Sequence, residues 1–532
     1  MTDLLGRSRW VEVRPGLREA TSEWMAALPD TRVDLAGRAE VIAKPSLRWR
    51  SLRAVLITLL RFLRLAVPTA VAGLGRRVTR SLRRVVTRKP ASSPEGQSSA
   101  TTRTAVRRAE QIVRAGGPAY VKLGQFVATA RGILPNEWTE AFEWCRDEVP
   151  PLPPGTAERI VSEAFRRPVS DVFASFDTTP FAAASIAQVH SATLADGSDV
   201  VVKIRRPGLR EQFEADIRAM ALFGAIAERI SPAARMGNPT GFVQLFAQLV
   251  LEELDFRLEA LNMVEIALAS EESEHDYVTI PRPIPGMVRS DVLVMERVPG
   301  VRYTDALEAY PDAVDGDRLL RLATQGVLEH ALVYGLFHGD LHAGNVLIAP
   351  DGGFSLVDFG IAGRVNAEER AALVRLTVGF AQMDVRLQLT AMQEFGAIPP
   401  DADVEALVPE LESHSARLEE LANAGHASIS FDQLAEEVGT LIRVLLAHGF
   451  RVPKELVLFS KNMLYLNGFA AALAPNANLL AEIEPVFTYF YTKYPQEMAT
   501  IAMGLLSAPN IMAKAQMLGG FDLRPSAEAA KQ

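Results

Sequence analysis

The stretch "FHGDLHAGNVLIAPDGGFSLVDFG", residues 337–360, sets three polar groups in a fixed order. Asn345 follows Asp340 by five residues, and Asp358 opens the tripeptide Asp358-Phe359-Gly360. "NVLIAP", "DGG" and "FSLV" between them read as a small hairpin. Phosphoryl transfer from ATP needs a carboxylate to orient the attacking oxygen. It also needs an amide and a carboxylate to hold Mg2+ on the phosphates. Asp340 is placed for the first role, Asn345 and Asp358 for the second. One piece alone carries little information; the ordered set is specific.

The spacing resembles the protein-kinase catalytic loop, with Gly339 standing in place of its arginine. A competing reading takes His338 and His342, four residues apart, as a metal pair. That would need one helix face and a third ligand. Gly339 and the following strand argue against a helix, so His338 is expected to pack and to shape the loop by hydrogen bonding.

Upstream, "PFAAASIAQVHSATLADGSDVVVKIRRPG", residues 180–208, reads as a loop, a strand, a turn at Asp196-Gly197 and a second strand that delivers Lys203. A kinase places its phosphate-covering loop and its phosphate-binding lysine here. The loop is Ala182-Ala183-Ala184-Ser185, without glycine. Each alanine adds a Cβ and restricts φ, so the backbone should be stiffer and farther from a γ-phosphate. Lys203 needs a carboxylate to aim it. "LVLEELDFRLEALN" offers Glu252, Glu253, Asp255 and Glu259. On one continuous helix, Glu253 and Glu259 would point about 240° apart, while Asp255 and Glu259 would share a face.

The whole chain has 532 residues, 48% of them hydrophobic and 23% charged, as in folded proteins. Its single cysteine, Cys145, excludes a disulfide framework and a cysteine-rich metal site, and reads as a small helical residue. "MTDLLGRSRWVEVRPG" lacks the apolar core of a secretory signal. Charge is uneven: residues 41–94 hold 13 Lys/Arg and no Asp/Glu, against −8 for the chain, so the remainder sums to −21. The apolar run within that segment is interrupted by Arg61, Arg64 and Pro68. An amphipathic helix on an anionic membrane surface fits better than a span. A helix packed on the protein's own acidic body and a nucleic-acid contact are the alternatives; nucleic acid is not expected. The reading divides the chain into an unassigned segment 1–40, a basic amphipathic segment 41–88 and a linker 89–104. A helical extension 105–178 follows, with Gly116-Gly117 as a left-handed cap. A strand-containing lobe 179–300 and a mainly helical lobe 301–532 complete it. Residues 155–178, 209–230 and 240–265 are expected to be helical.

Four features in order make the chain resemble the UbiB/AarF family of atypical kinases, over about residues 105–490. They are "KLGQ" (Lys122, Gly124, Gln125), "AAASIAQVH", "ELD" (Glu253, Asp255), and "HGDLHAGN" with "DFG". "LVLFSKNMLYLNGFAAALAPNANL" also looks like the family's helical extension. The resemblance implies an α+β, protein kinase-like bilobal fold with a helical N-terminal extension. It implies ATP (or ADP) and Mg2+ as cofactors, and the adenine edge meeting the connector backbone near Glu296 and Val298. Glu259 would pair with Lys203. Glu253 and Asp255 would face the Lys-x-Gly-Gln helix, whose Lys122 and Gln125 would crowd the place where a protein kinase admits a peptide. The implied setting is the inner face of a membrane, from the cytoplasmic side, with a prenyl-lipid or quinone precursor and its enzymes as partners. Gly132 stands where the family commonly has aspartate, and the transmembrane pair of many relatives is missing. The alternatives are a small-molecule phosphotransferase of the aminoglycoside or choline kinase type and a non-catalytic ATP-sensing scaffold. "KLGQ" paired with "ELD" argues against the first, and the complete set of catalytic groups against the second.

Overall fold

The structure, a computed structural model, describes residues 1–46, 53–58, 106–129, 136–146, 150–230, 238–381, 384–412 and 439–498, apart from a few positions within these ranges. Most of the basic segment, the linker 89–104 and Gly132 lie outside the described residues.

The first lobe is built on an antiparallel sheet. Its strands are β1 (Ser175–Phe176), β2 (Ala182–Ala183), β3 (Ala187–Thr193) and β4 (Asp199–Arg205). After the pair β5 (Val278–Thr279), which belongs elsewhere, β6 (Pro283–Val288) and β7 (Val292–Glu296) complete it in the order β1-β3-β4-β7-β6, with β2 on β3. The turn between β3 and β4 closes with Leu194 N–H donating to Ser198 O, and Gly197 takes φ +84° there, which favours glycine. β4 is central. Its alternation sends Val200, Val202 and Ile204 into one apolar cluster with the helix Thr156–Phe165, and Val201 into another with Phe256 and Ala260. Lys203 shares the face of Val201, so it is carried inward toward the helix that begins at Phe256.

Two sequence expectations fail in this lobe. Residues 155–178 are not one helix: Arg166 enters the left-handed region (φ 55°), and Ser175–Phe176 pairs as an edge strand. Residues 240–265 are two helices, Pro239–Glu253 and Phe256–Glu272. Asp255 separates them in an extended conformation and accepts from Arg257 N–H as the N-cap of the second. The 240° angle between Glu253 and Glu259 therefore does not apply.

The second lobe carries β8 (Val301–Arg302), β9 (Leu336–His338), β10 (Val346–Ile348), β11 (Phe354–Leu356) and β12 (Ala362–Arg364). β10 and β11 form the expected hairpin within a sheet ordered β5-β11-β10-β8, and β9 pairs with β12. Helices Gly316–Glu329, Ala367–Ala381, Val385–Glu394 and Lys454–Leu473 surround them. One cluster, from Val201 and Phe256 to Leu336 and Phe359, bridges the lobes through the helix Phe256–Glu272.

The unassigned N-terminus is largely a 27-residue helix, Leu17–Ala43, packed on both helices that flank Asp255. Its Arg32 donates to Asn262 Oδ1 at 3.0 Å. The helix Pro118–Thr129 starts at Pro118, but neither Gly116 nor Gly117 has a positive φ. Gly116 provides room instead: a Cβ there would lie 2.2 Å from the Tyr120 ring.

Candidate active site

Lys203 is buried (8% exposed), and its Nζ donates to Glu259 Oε1 at 2.8 Å and Asp358 Oδ1 at 2.9 Å. Burial alone would lower the pKa of its ammonium. Asp358 and Glu259 outweigh that and raise it, so it stays charged. Burial pushes the Glu259 carboxyl up to about 7 against the pull of Lys203. Asp358 is itself held below the ordinary carboxylate range because Lys203 overcomes its own burial. Asp358 sits at φ +59°, unusual for a residue with a side chain, and accepts from Gly360 N–H at 3.3 Å.

The loop after β9 brings the other groups. His338 Nδ1 accepts from Asp340 N–H at 3.0 Å, and His342 Nδ1 accepts from Gly344 N–H at 2.9 Å. Both histidines thus use a ring nitrogen to shape the loop. Asn345 is buried, and its Nδ2 donates to Asp340 O at 2.9 Å. Asn345 Oδ1 is not used in that bond and could serve as an oxygen ligand. With Asp358 Oδ2 it makes an all-oxygen pair, the donor type magnesium prefers when phosphates complete the shell. The residues fit such an ion.

The Lys-x-Gly-Gln helix closes one side. Lys122 Nζ lies 2.6 Å from Glu253 Oε2, and Gln125 Nε2 donates to Cys145 O at 2.8 Å. Burial raises the Glu253 carboxyl despite Lys122, and its Oε1 is buried without a partner. Asp255 departs from its expected role. It faces Arg257, which donates to both of its oxygens at 2.9 and 2.7 Å, and not the Lys-x-Gly-Gln helix. Gly124 has a packing reason: a Cβ there would meet Cys145 Sγ at 2.4 Å. Gly124→Ala should therefore destabilise the fold by about 1–3 kcal/mol, and adding Cys145→Ala should recover part of it in thermal melts.

The alanine loop is a tight hairpin. Ala182 and Ala183 pair with Val189 and Gln188, and Ala184 N–H donates to Ala187 O at 2.8 Å. Arg206 Nε donates to Ala184 O at 2.9 Å. Ser185 turns inward, is buried, and donates to Gln125 Oε1 at 3.4 Å. At the connector, Glu296 N–H donates to Arg282 O, and its carboxylate meets Arg282 and Arg14. Val298 lies half-buried just beyond.

Sequence reasoning missed three groups on the helix Lys454–Leu473. Lys461 Nζ and Tyr465 OH both donate to Asp340 Oδ1, at 2.7 and 2.9 Å, and Asn462 Nδ2 donates to His338 O at 2.6 Å. The available signal was Lys461 itself, the one charge between Leu456 and Leu473. Asn262 was also missed. Its Nδ2 donates to Phe359 O at 2.8 Å while its Oδ1 accepts from Arg32 and Arg364.

Residues 145–391 match the model of the ABC1 atypical kinase-like domain. An uncharacterized aarF domain-containing protein kinase of Arabidopsis thaliana is 31% identical over 69% of this chain and 71% of its own. The probable protein kinase UbiB of Pseudomonas aeruginosa is 30% identical over 69% and 68%. The chain belongs to the UbiB/AarF family. An uncharacterized Mycobacterium tuberculosis protein is also similar, at 32% identity over 81% of this chain and 85% of that one. Membership of the family, together with the two-lobed α+β architecture, makes this a kinase-like protein.

Proposed function

We propose that the protein binds a magnesium nucleotide between Lys203 and Asp358. It would then hydrolyse ATP, or pass its phosphoryl group to a small lipid-like acceptor, in support of prenyl-lipid or quinone metabolism at a membrane. The observation that carries this reading is Lys203 bonded at once to Glu259 and Asp358, with Asp340 and Asn345 on the adjoining loop. When bound, the magnesium ion neutralises phosphate charge and would be held by Asn345 and Asp358. Lys203, aimed by Glu259, contacts the α/β-phosphates. Asp340 orients the attacking oxygen and takes its proton as the bond to the departing ADP breaks. Family relatives that carry the UbiB name support the quinone end of this reading.

The half-buried Lys122–Glu253 pair would stand on the acceptor side, within electrostatic reach of Asp340 and Asp358. That argues against a peptide acceptor, and a soluble alcohol or amino sugar should not be phosphorylated. Residues 41–94, with 13 cationic residues and no acid, support peripheral association with anionic lipid on the cytoplasmic face. Among the described residues one helix, Lys454–Leu473, is long and apolar enough to cross a membrane. It contributes Lys461 and Asn462 to the catalytic loop and is largely buried in the protein, which favours a place in the lobe.

Thermal melting tests nucleotide binding. ATP or ADP with Mg2+, at a hundredfold excess over Kd, should stabilise the protein by about 2.7 kcal/mol, and EDTA should remove most of that gain. No shift with either nucleotide contradicts the reading. Ala183→Gly should change the ratio of ATP to ADP affinity in the same assay, because it frees the φ of a strand-paired loop residue. An unchanged ratio would remove that role from the loop.

A further inference from the structure

The catalytic loop "FHGDLHAGN" contains no lysine or arginine, and glycine occupies the position of the kinase arginine. Phosphoryl transfer concentrates negative charge beside the orienting carboxylate, and cations there are a main source of rate. Here the cation arrives from a helix more than a hundred residues downstream. Lys461 Nζ lies 2.7 Å from Asp340 Oδ1, and Tyr465, one turn later on the same face, donates to the same oxygen. Asn462 holds His338 O on the other side of Gly339. The helix is anchored at its start by Lys454, 2.7 Å from Glu252. Oδ2 of Asp340 is left 3.9 Å from His342 Nε2 as the oxygen open to an incoming hydroxyl or water.

We propose that Lys461 is a positioning residue for phosphoryl transfer: it fixes Asp340 through Oδ1, directs Oδ2 to the attacking oxygen, and supplies the cation that the catalytic loop lacks. This deepens the functional reading above and rests on it. A purely structural role fits poorly. Lys461 is 9% exposed, and burying an ammonium costs more than an apolar side chain of similar size would in the same place. The cost is understandable if the charge is used.

The groups facing Asp340 are Lys461 and Tyr465 from the downstream helix, His338 and His342 from its own loop, Asp358 beyond β11, Lys122 from the extension, and Glu253 from the end of the helix Pro239–Glu253. Lys461, His342 and Lys122 overcome burial and hold the Asp340 carboxyl well below its ordinary value.

The test compares Lys461→Met, Lys461→Arg and Lys454→Met in the full chain with Mg-ATP. Lys461→Met should lower kcat about 100-fold with little change in the nucleotide KM. Lys461→Arg should recover at least about tenfold of the loss through its retained charge. Lys454→Met removes the anchoring pair of the same helix and should keep kcat near wild type. The inference is overturned if Lys461→Met behaves like Lys454→Met, or if Lys461→Arg recovers none of the loss. It is also overturned if Lys461→Met turns over faster, which would make the ion pair an inhibitory latch. Absence of turnover in the wild type would sink the functional reading itself, and this inference with it.

Discussion

Asp358→Asn should abolish magnesium-dependent nucleotide turnover, with a loss of about 10³-fold or more and a nearly unchanged melting temperature. Asparagine is among the few residues that tolerate the left-handed backbone, so φ +59° should persist. Lys203 keeps Glu259 at 2.8 Å, so one buried cation still faces one buried carboxylate. What disappears is a negatively charged oxygen ligand beside Asn345. Steady-state turnover and thermal melting on the same preparation check both halves. Wild-type turnover in the variant would mean that Asp358 holds no metal that matters.

Lys203→Met should act on the fold as well as on the nucleotide. Glu259 is 2% exposed, and its Oε2 already lacks a partner. Removing the cation leaves that carboxyl beside Asp358 with no counter-charge, at a cost of about 3–5 kcal/mol. The pH dependence has a definite sign. A carboxyl whose folded pKa lies above its unfolded value stabilises the fold when protonated, and that stability is lost as pH rises through the folded pKa. Burial already pushes Glu259 up to about 7, and loss of Lys203 pushes it further. The melting gap between wild type and variant should therefore be narrow near pH 5.5 and wide near pH 8. A gap that does not vary with pH would show that Glu259 carries no buried charge. Nucleotide affinity should fall in parallel, because the phosphate contact is gone.

The catalytic groups were legible because they lie close together in sequence. Asp340, Asn345 and Asp358 occupy one hairpin-linked stretch, and their spacing alone dictates their meeting. Lys203 was legible as part of an apolar strand; its partner Glu259 came from the family resemblance and not from the spacing of the acidic run. The break at Leu254-Asp255 contains neither glycine nor proline, so the acidic run read as one helix and the angles came out wrong. The N-terminal helix was opaque for a different reason. It contains Pro29, and much of its buried face is small or polar (Thr21, Ala39, Ala43), so no broad apolar stripe marks it. Lys461 and Tyr465 depend on tertiary folding across more than a hundred residues, which local periodicity does not carry. Asn262 is similar: two distant segments, the N-terminal helix and residues 359–364, meet on its amide.

The central claim is that these groups form a working magnesium-nucleotide site. The direct measurement is phosphate release from ATP by the wild-type protein, with anionic vesicles present, in Mg2+ and then in EDTA. Release should depend on Mg2+ and fall to background in EDTA. Release that persists in EDTA, or none with or without vesicles, would contradict it.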